Sequence, residues 1–431
     1  MSSDTDVSSA PELRASRSRV VVSSLLGSTI EWFDFYIYGA ASALYFATEF
    51  FPNADPLVGV LASFAALAGG FLVRPIGGLI GGHIGDRYGR KKVLVASMIV
   101  MGISTVLVGL LPGYATIGVW APLLLVVLRV VQGLGAGAEW GGGVLMVVEH
   151  FAKGRRGFWG SIGVLGVYTG ITLSTLLFFL LSRLPAADQA WAWRIPFLCS
   201  AVLVVVGLWI RLGVAESPQF VKRTERPRIP VVDLLRRHWP RVLIAIALAI
   251  GPAVPYQVYV TFGNSYGKLV GFDVSTLLLM QFVASVLAMI MAPAFGALSD
   301  VVGRRPVVIA GCVVLCPAGF WFFSALNGGT VVGAMTALVV LEIGHSAIYG
   351  PQSAMLSELF GTSTRYTGAS LAYQVAGALS GLAPLISAAL LFAGGGAPHV
   401  TLVPALLLLT SAGAVVAALA APETARAPLA P

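Results

Sequence analysis

Apolar stretches of about 20 residues recur along the whole chain, separated by short charged or Pro/Gly-rich turns. Each is long enough to cross a bilayer as a helix, the conformation in which a single segment satisfies its own backbone N–H and C=O groups. The composition agrees. Of 431 residues, 57% are hydrophobic and 11% charged, and the mean hydropathy is +0.87. A soluble chain so composed would expose too much apolar surface. The 50 glycines suit membrane helices, whose interfaces favour small residues that let backbones approach. The expected fold is an all-α integral membrane protein.

Breaks in the apolar pattern give about twelve spans, at 20–46, 57–82, 93–112, 119–149, 156–181, 193–212, 241–267, 274–298, 307–326, 330–358, 365–393 and 400–421. With the N-terminus inside, Arg183, Arg194 and Lys268 lie outside, Arg74 and Arg129 lie within spans, and all other Lys and Arg face the cytoplasm. The positive-inside rule therefore orients the chain with both termini cytoplasmic, in the cell membrane. Residues 1–19 read as a disordered cytoplasmic segment and 422–431 as a short tail. The basic connector 213–240 divides a half over 20–212 from a half over 241–421. The net charge of +8 follows from these loops and does not point to nucleic acid. Cys199, Cys312 and Cys316 fall inside apolar segments without metal-ligand or paired spacing, and the five histidines are scattered. Neither a metal site nor a cofactor is expected.

The halves repeat each other. "GHIGDRYGRK" (82–91) returns as "GALSDVVGRR" (296–305), aligning Gly82, Asp86, Gly89 and Arg90 with Gly296, Asp300, Gly303 and Arg304. "EHFAKGRRGFWGS" (149–161) returns as "ELFGTSTRYTGAS" (358–370), aligning Glu149 and Arg156 with Glu358 and Arg365. Two motifs repeating at similar large offsets imply two related six-helix halves, an arrangement suited to alternating access around a midplane site.

Four blocks then carry a family resemblance: "STIEWFDFYIYG" in span 1, "FLVRPIGGLIGGHIGDRYGRKK" after span 2, "RVVQGLGAGAEWGGG" in span 4 and "YGPQSAMLSELFGTSTRYTGASLAYQ" across spans 10 and 11. "WRIPFL" and "ESPQF" around span 6 support them. The chain resembles the major facilitator superfamily, and within it the metabolite:proton symporter branch that carries shikimate, dicarboxylates, citrate, proline or betaine. The resemblance implies a cytoplasmic latch in which Asp86, with Arg87 and Arg90 beside it, meets the start of span 11 near Arg365. Asp300, beside Gly303 and Arg304, would meet the start of span 5 near Arg156.

Charges within spans are costly and invite a functional reading. Glu31 and Asp34 share a helix face with Tyr38, and Tyr38 and Gln132 are expected to line the substrate cavity. Two close carboxylates repel in a low dielectric, so at least one should take up a proton readily, or both are structural partners of a nearby arginine. Arg129, with Gln132 and Glu139 on nearly the same face, opens an Arg-x-x-x-Gly-x-Gly-x-Gly run whose glycines admit another helix closely. Its guanidinium needs an anion, and it is expected to pair with Asp34, Glu31 or Glu139 in one state and to exchange partners in another. The resemblance implies that the span 1 carboxylates and this arginine serve proton coupling. Arg74 either snorkels to the interface or bonds between helices. Glu342 and His345 share a face of span 10, as part of a proton path or as a packing pair. Two prolines in "GPAVPYQVYVTFGNSYG" should break span 7, letting Tyr256, Gln257, Tyr259 and Asn264 line a cavity together with Tyr373 and Gln374 of span 11.

The expected function is a proton symporter, working as a monomer, that imports a small organic acid or zwitterionic metabolite. Its partners would be substrate, protons and the bilayer. An exporter of the same fold is the alternative, disfavoured because span 5 lacks a proline. A membrane enzyme or sensor is disfavoured because the chain has no nucleotide-binding loop, metal cluster or nucleophile–base constellation.

Overall fold

A computed structural model describes residues 10–88, 90–139, 155–185, 188, 191–212, 234, 236, 238–361 and 364–426. For 10–24, 82–83, 85–88, 90–91, 94, 139, 210–212 and 366 only the backbone is described. Among the described residues, each expected span is helical. The first half holds α1 (Ala10–Leu44), α2 (Pro56–Leu72, running on as Arg74–Tyr88), α3 (Arg90–Leu110), α4 (Trp120–Glu139), α5 (Arg156–Leu181) and α6 (Ile195–Leu212). The second begins with α7, built from Trp239–Tyr256, a π-helical stretch Gln257–Phe262 and Gly263–Leu269. It continues with α8 (Val274–Val302), α9 (Arg304–Asn327), α10 (Val331–Glu358), α11 (Arg365–Ala393) and α12 (Leu402–Ala420). Among the described residues, nine helices are long and apolar enough to cross a membrane, and Val95–Leu110 and Ile195–Trp209 are shorter apolar helices.

Side-chain oxygens and glycines set several helix starts. Asp55 accepts from the backbone N–H of Leu57 at 2.9 Å ahead of Pro56 in α2, and Asp273 accepts from Ser275 N at 3.0 Å and Thr276 N at 3.3 Å to start α8. At the start of α9, Gly303 has φ of +116°, a conformation that strains any side-chain-bearing residue. The two halves meet where α5 packs on α8 and α10, and where α2 packs on α11.

Within the first half α2 and α4 touch backbone to backbone. A methyl group on Gly137 would lie 1.9 Å from the Arg74 carbonyl oxygen, and one on Gly133 2.0 Å from that of Gly70. The glycines of the Arg129 run thus admit a helix, as their spacing suggested. Gly137→Val is expected to destabilise the protein by about 3 kcal/mol or more through overpacking. The melting temperature and monodisperse yield of detergent-solubilised variant check this.

Two features differ from expectation, and the end of span 4 lies outside the described residues. The chain is already helical at Ala10, inside the segment read as disordered, because "APELRASRSR" is rich in helix formers and places Pro11 in the first turn, where a missing N–H is tolerated. Span 4 is described to Glu139, and 140–154 lie outside the described residues. The prolines do not break α7. Pro252 and Pro255 are accommodated inside the helix and are followed directly by the wider π turn, which takes up the misfit while the helix runs on.

Candidate functional site

Glu31 and Asp34 are three residues apart on α1, hence about 60° apart around its axis, and that offset sends them to different neighbours. Glu31 forms a buried ion pair with Arg74 of α2. Arg74 is 1% exposed and lies 4.6 Å over the Phe35 ring, so it joins helices and does not snorkel. Asp34 is fully buried and accepts from Ser200 Oγ of α6 at 2.6 Å and Thr105 Oγ1 of α3 at 3.0 Å. Gln132 of α4 donates through Nε2 to Thr105 Oγ1 at 2.7 Å and accepts from Arg129 Nη1 at 2.5 Å.

In this structure Arg129 reaches Asp34 through Gln132 and Thr105. Its guanidinium lies 4.3 Å over the ring of Tyr38 and 4.4 Å over that of Phe35, and such desolvated cation–π contacts contribute about 2 kcal/mol. Among the described residues, Arg129 Nε and Nη2 have no hydrogen-bond partner. The Glu139 side chain lies outside the described residues.

Tyr38 is not a cavity residue. It packs on Phe46 and Phe197 inside the first half, and Gln132 likewise faces that interior. Tyr36, about 200° away around α1, instead crosses to the second half, its ring centroid 5.6 Å from that of Tyr256. Around this contact lie Tyr168 of α5, Tyr259 of α7, and Glu342, His345 and Tyr349 of α10. Tyr349 meets the hydroxyl of Tyr373 at 3.4 Å. Gln257 accepts from Thr261 at 2.6 Å, and Asn264 donates to Gln281 of α8 at 2.5 Å. A small cavity opens between Tyr256, Tyr259, Asn264, Gln281, Ser285 and Glu342. Gln374 lies apart from it and bridges the halves by donating to the Gly137 carbonyl at 3.3 Å.

On the side assigned to the cytoplasm, Asp300 of α8 sits at the N-terminus of α5. Its Oδ1 accepts from Gly157 N at 2.8 Å and its Oδ2 from Phe158 N at 3.0 Å, where the helix dipole favours a negative charge. Arg304 Nη1 lies 2.8 Å from Asp300, and Arg304 Nη2 lies 3.2 Å from Glu358 of α10. Arg156 Nη1 is 3.1 Å from the same Glu358, whereas Arg365 donates to the Ser357 carbonyl at 3.1 Å. The equivalent contact of Asp86 cannot be described: Gly89 and the side chains of Asp86, Arg87 and Arg90, together with Gly82 beyond its backbone, lie outside the described residues.

Sequence reading missed the segment after α12. Thr424 donates to Glu358 at 2.5 Å, and Glu423 accepts from the backbone N–H of Arg304 at 2.9 Å and Arg305 at 3.1 Å. Burial alone would raise the Glu423 carboxyl, but the backbone donors of Arg304, Ala425, Arg305 and Thr424 outweigh it and hold it below its ordinary 4.5. A depressed carboxylate stabilises the fold fully above its unfolded value and less as pH falls through the folded one. The stability difference between wild type and Glu423→Gln is thus expected to be full at neutral pH, to start shrinking as pH falls to about 4.5 and to be lost only in stronger acid, as melting temperatures across pH would record.

The opposite end is closed by a charge of the other sign. Lys268 at the end of α7 donates to the carbonyl of Leu44, the last residue of α1, at 2.5 Å, and a cation is favoured at a helix C-terminus. Ser275 and then the backbone N–H groups of Thr276 and Ser275 hold the Asp273 carboxyl below its usual range, with Arg183 of the other half adding to this. Lys268→Met is expected to part the outer ends of the halves and Lys268→Arg to restore them. Spin labels at the exposed Thr48 and Val331 would report a longer distance population in the first variant only.

Buried polar chains across a two-half helix bundle, closed at both ends by charges on helix termini, fit a protein that opens alternately. The model of the Major Facilitator Superfamily matches residues 24–384. The chain belongs to this superfamily. It is 39% identical over 406 residues to the shikimate transporter of Escherichia coli (strain K12), covering 90% of this chain and 93% of the relative. It is 40% identical over 385 residues to the inner membrane metabolite transport protein YhjE of the same organism, covering 86% and 88%. To the proline/betaine transporter of Salmonella typhimurium it is 32% identical over 388 residues, covering 86% and 77%. The fold is that of a D-xylose–proton symporter, with a TM-score of 0.75, 19% identity and coverage of 94% and 98%.

As a major facilitator protein the chain is a multi-pass membrane transporter of the secondary active class and not an enzyme. Within that frame Tyr36 and Tyr168 are residues that sequence reading overlooked, both reaching from the first half to the Tyr256 ring beside the cavity. Tyr168 lay in an apolar, glycine-rich helix with no charge beside it. Tyr36 could have been found, since it lies on the other side of α1 from Asp34 and Tyr38.

Proposed function

We propose that this chain is a proton symporter that imports a small organic acid or zwitterionic metabolite by alternating access. The observation that carries this reading is the hydrogen-bonded line Asp34–Thr105–Gln132–Arg129, buried in the first half. A proton arriving at Asp34 changes what Thr105 and Gln132 can donate, and so changes what holds Arg129, whose Nε and Nη2 stand ready for an acid. The chamber of tyrosine hydroxyls, amides, Glu342 and His345 offers both donors and acceptors to a small polar solute. The names of the relatives support that class, since one carries shikimate and another proline and betaine.

The inner gate consists of Asp300, Arg304, Arg156 and Glu358, with Asp86 and Arg365 as the repeat-related pair. The basic loops place both termini in the cytoplasm. In this reading the working unit is a monomer in the cell membrane.

The test is uptake into proteoliposomes under an imposed pH gradient, with shikimate, other organic acids, proline and glycine betaine as solutes. Accumulation of one of them that rises with the inward proton gradient is expected. Uptake indifferent to the gradient, or none from the whole panel, removes the symport reading.

A further inference from the structure

Glu342 is 1% exposed and lies well inside α10. Tyr259 of α7 donates to its Oε2 at 2.9 Å, and His345 Nδ1 stands 3.2 Å from its Oε1. The hydroxyl of Tyr168 lies 2.9 Å from the same Nδ1. Tyr168 belongs to the first half and the other three residues to the second, so this line of hydrogen bonds crosses between the moving bodies.

Phenols surround the imidazole. Ring centroids lie 4.8 Å away for Tyr256, 5.4 Å for Tyr349, 6.0 Å for Tyr259 and 6.1 Å for Tyr168. Tyr36 of α1 faces the group through Tyr256, and the polar side chains that α8 contributes to the adjoining cavity are the uncharged Gln281 and Ser285, beside Leu277, Met280 and Ala284. Among the described residues no Lys or Arg is within ion-pair distance of Glu342, and His345 is its one base.

Two partners converge on Nδ1, and that decides where protons can sit. A bare Nδ1 would accept from Tyr168 but would face the lone pairs of Glu342, unless the carboxyl carried a proton. A protonated Nδ1 donates to Glu342 and leaves Tyr168 as an acceptor. With neutral imidazole and ionised carboxylate the pair holds one negative charge in a box of aromatic rings, which is costly once water is excluded. One further proton, on Nε2 or on the carboxyl, makes the pair electroneutral in either tautomer. An imidazolium there also gains from the surrounding ring faces.

We infer that Glu342 and His345 form a second proton-binding site, in the second half, loaded as the halves close and read across the interface by Tyr168. The proton comes from water on the open side and returns to water when Tyr168 withdraws and the pair is rehydrated. The inference builds on the proton-symport reading, in which Asp34 is the site of the first half.

Both sites can be separated without knowing the substrate. Proteoliposomes adsorbed on a solid-supported membrane are subjected to pH jumps in the absence of solute, and the displaced charge is integrated. With two sites, Glu342→Gln and His345→Gln are each expected to remove about half of the displaced charge, and Asp34→Asn the other half. Tyr168→Phe keeps the ring and should move the midpoint of the Glu342–His345 component by roughly one pH unit, the worth of one hydrogen bond. Glu342→Asp, which keeps a carboxyl, should restore the component, and unchanged melting temperatures would exclude misfolding. If Asp34→Asn abolishes all displacement while Glu342→Gln and His345→Gln match wild type, the second site is overturned and the symport reading stands. If Glu342→Gln abolishes all of it and Asp34→Asn none, the second site stands and the role given to Asp34 fails.

Discussion

Asp34→Asn is expected to abolish uphill accumulation while leaving exchange of solute across the membrane. A gradient of one pH unit is worth about 1.4 kcal/mol, and drives roughly tenfold accumulation when one proton accompanies each solute. The variant's accumulation ratio should therefore fall from about ten to about one. Asparagine has nearly the shape of aspartate; Ser200 and Thr105 donate to separate oxygens of Asp34 at 2.6 and 3.0 Å, and an amide can accept from one of these hydroxyls and donate to the other. The bundle should thus fold, and counterflow should continue. The measurement is paired: gradient-driven uptake and solute counterflow in the same proteoliposomes. Uphill uptake at the wild-type ratio would take Asp34 out of the coupling step.

Asp300→Asn should release the inner closure. The carboxylate accepts two backbone N–H groups at the start of α5 and neutralises Arg304, which is itself fully buried. An amide turns one acceptor into a donor aimed at an N–H and leaves Arg304 with less countercharge. Loss of charge-assisted bonds of this kind costs about 3 kcal/mol, roughly a hundredfold shift away from the inner-closed form. A cysteine at Ser161, buried near Gly296 behind the latch, would report it in a background with Cys199, Cys312 and Cys316 replaced by serine. Labelling of Ser161→Cys from the cytoplasmic side should rise steeply with Asp300→Asn. Equal labelling in both backgrounds would mean that Asp300 does not hold this gate.

The spans were legible because hydrocarbon imposes length and polarity on every segment, and those properties can be read without knowing the neighbours. The Asp300 contact was approachable for a different reason: the recurring motif carries a family resemblance, and the resemblance implied a latch at the start of α5. The partners of Glu31 and Arg129 were not legible. Several acids and bases at similar depth can be matched in many ways, and the choice depends on how far each helix is rotated. Thus Glu31 meets Arg74, and Arg129 meets Gln132 and two aromatic rings. Tyr36 and Tyr38 were confused for the same reason, since two residues along a helix reverse the direction faced. The prolines of α7 misled because their lost hydrogen bonds can be absorbed by a π turn as well as by a break.

The short segment after α12 has a practical consequence. Glu423 and Thr424 tie α12 to the first turn of α9 and to Glu358, so shortening this stretch to attach a purification tag would remove part of the lock. A protein trimmed there would be the same transporter by sequence, but its resting balance between inward and outward forms would have been altered by the handle used to purify it. Tags are better placed at the other terminus, or joined beyond an intact Arg426.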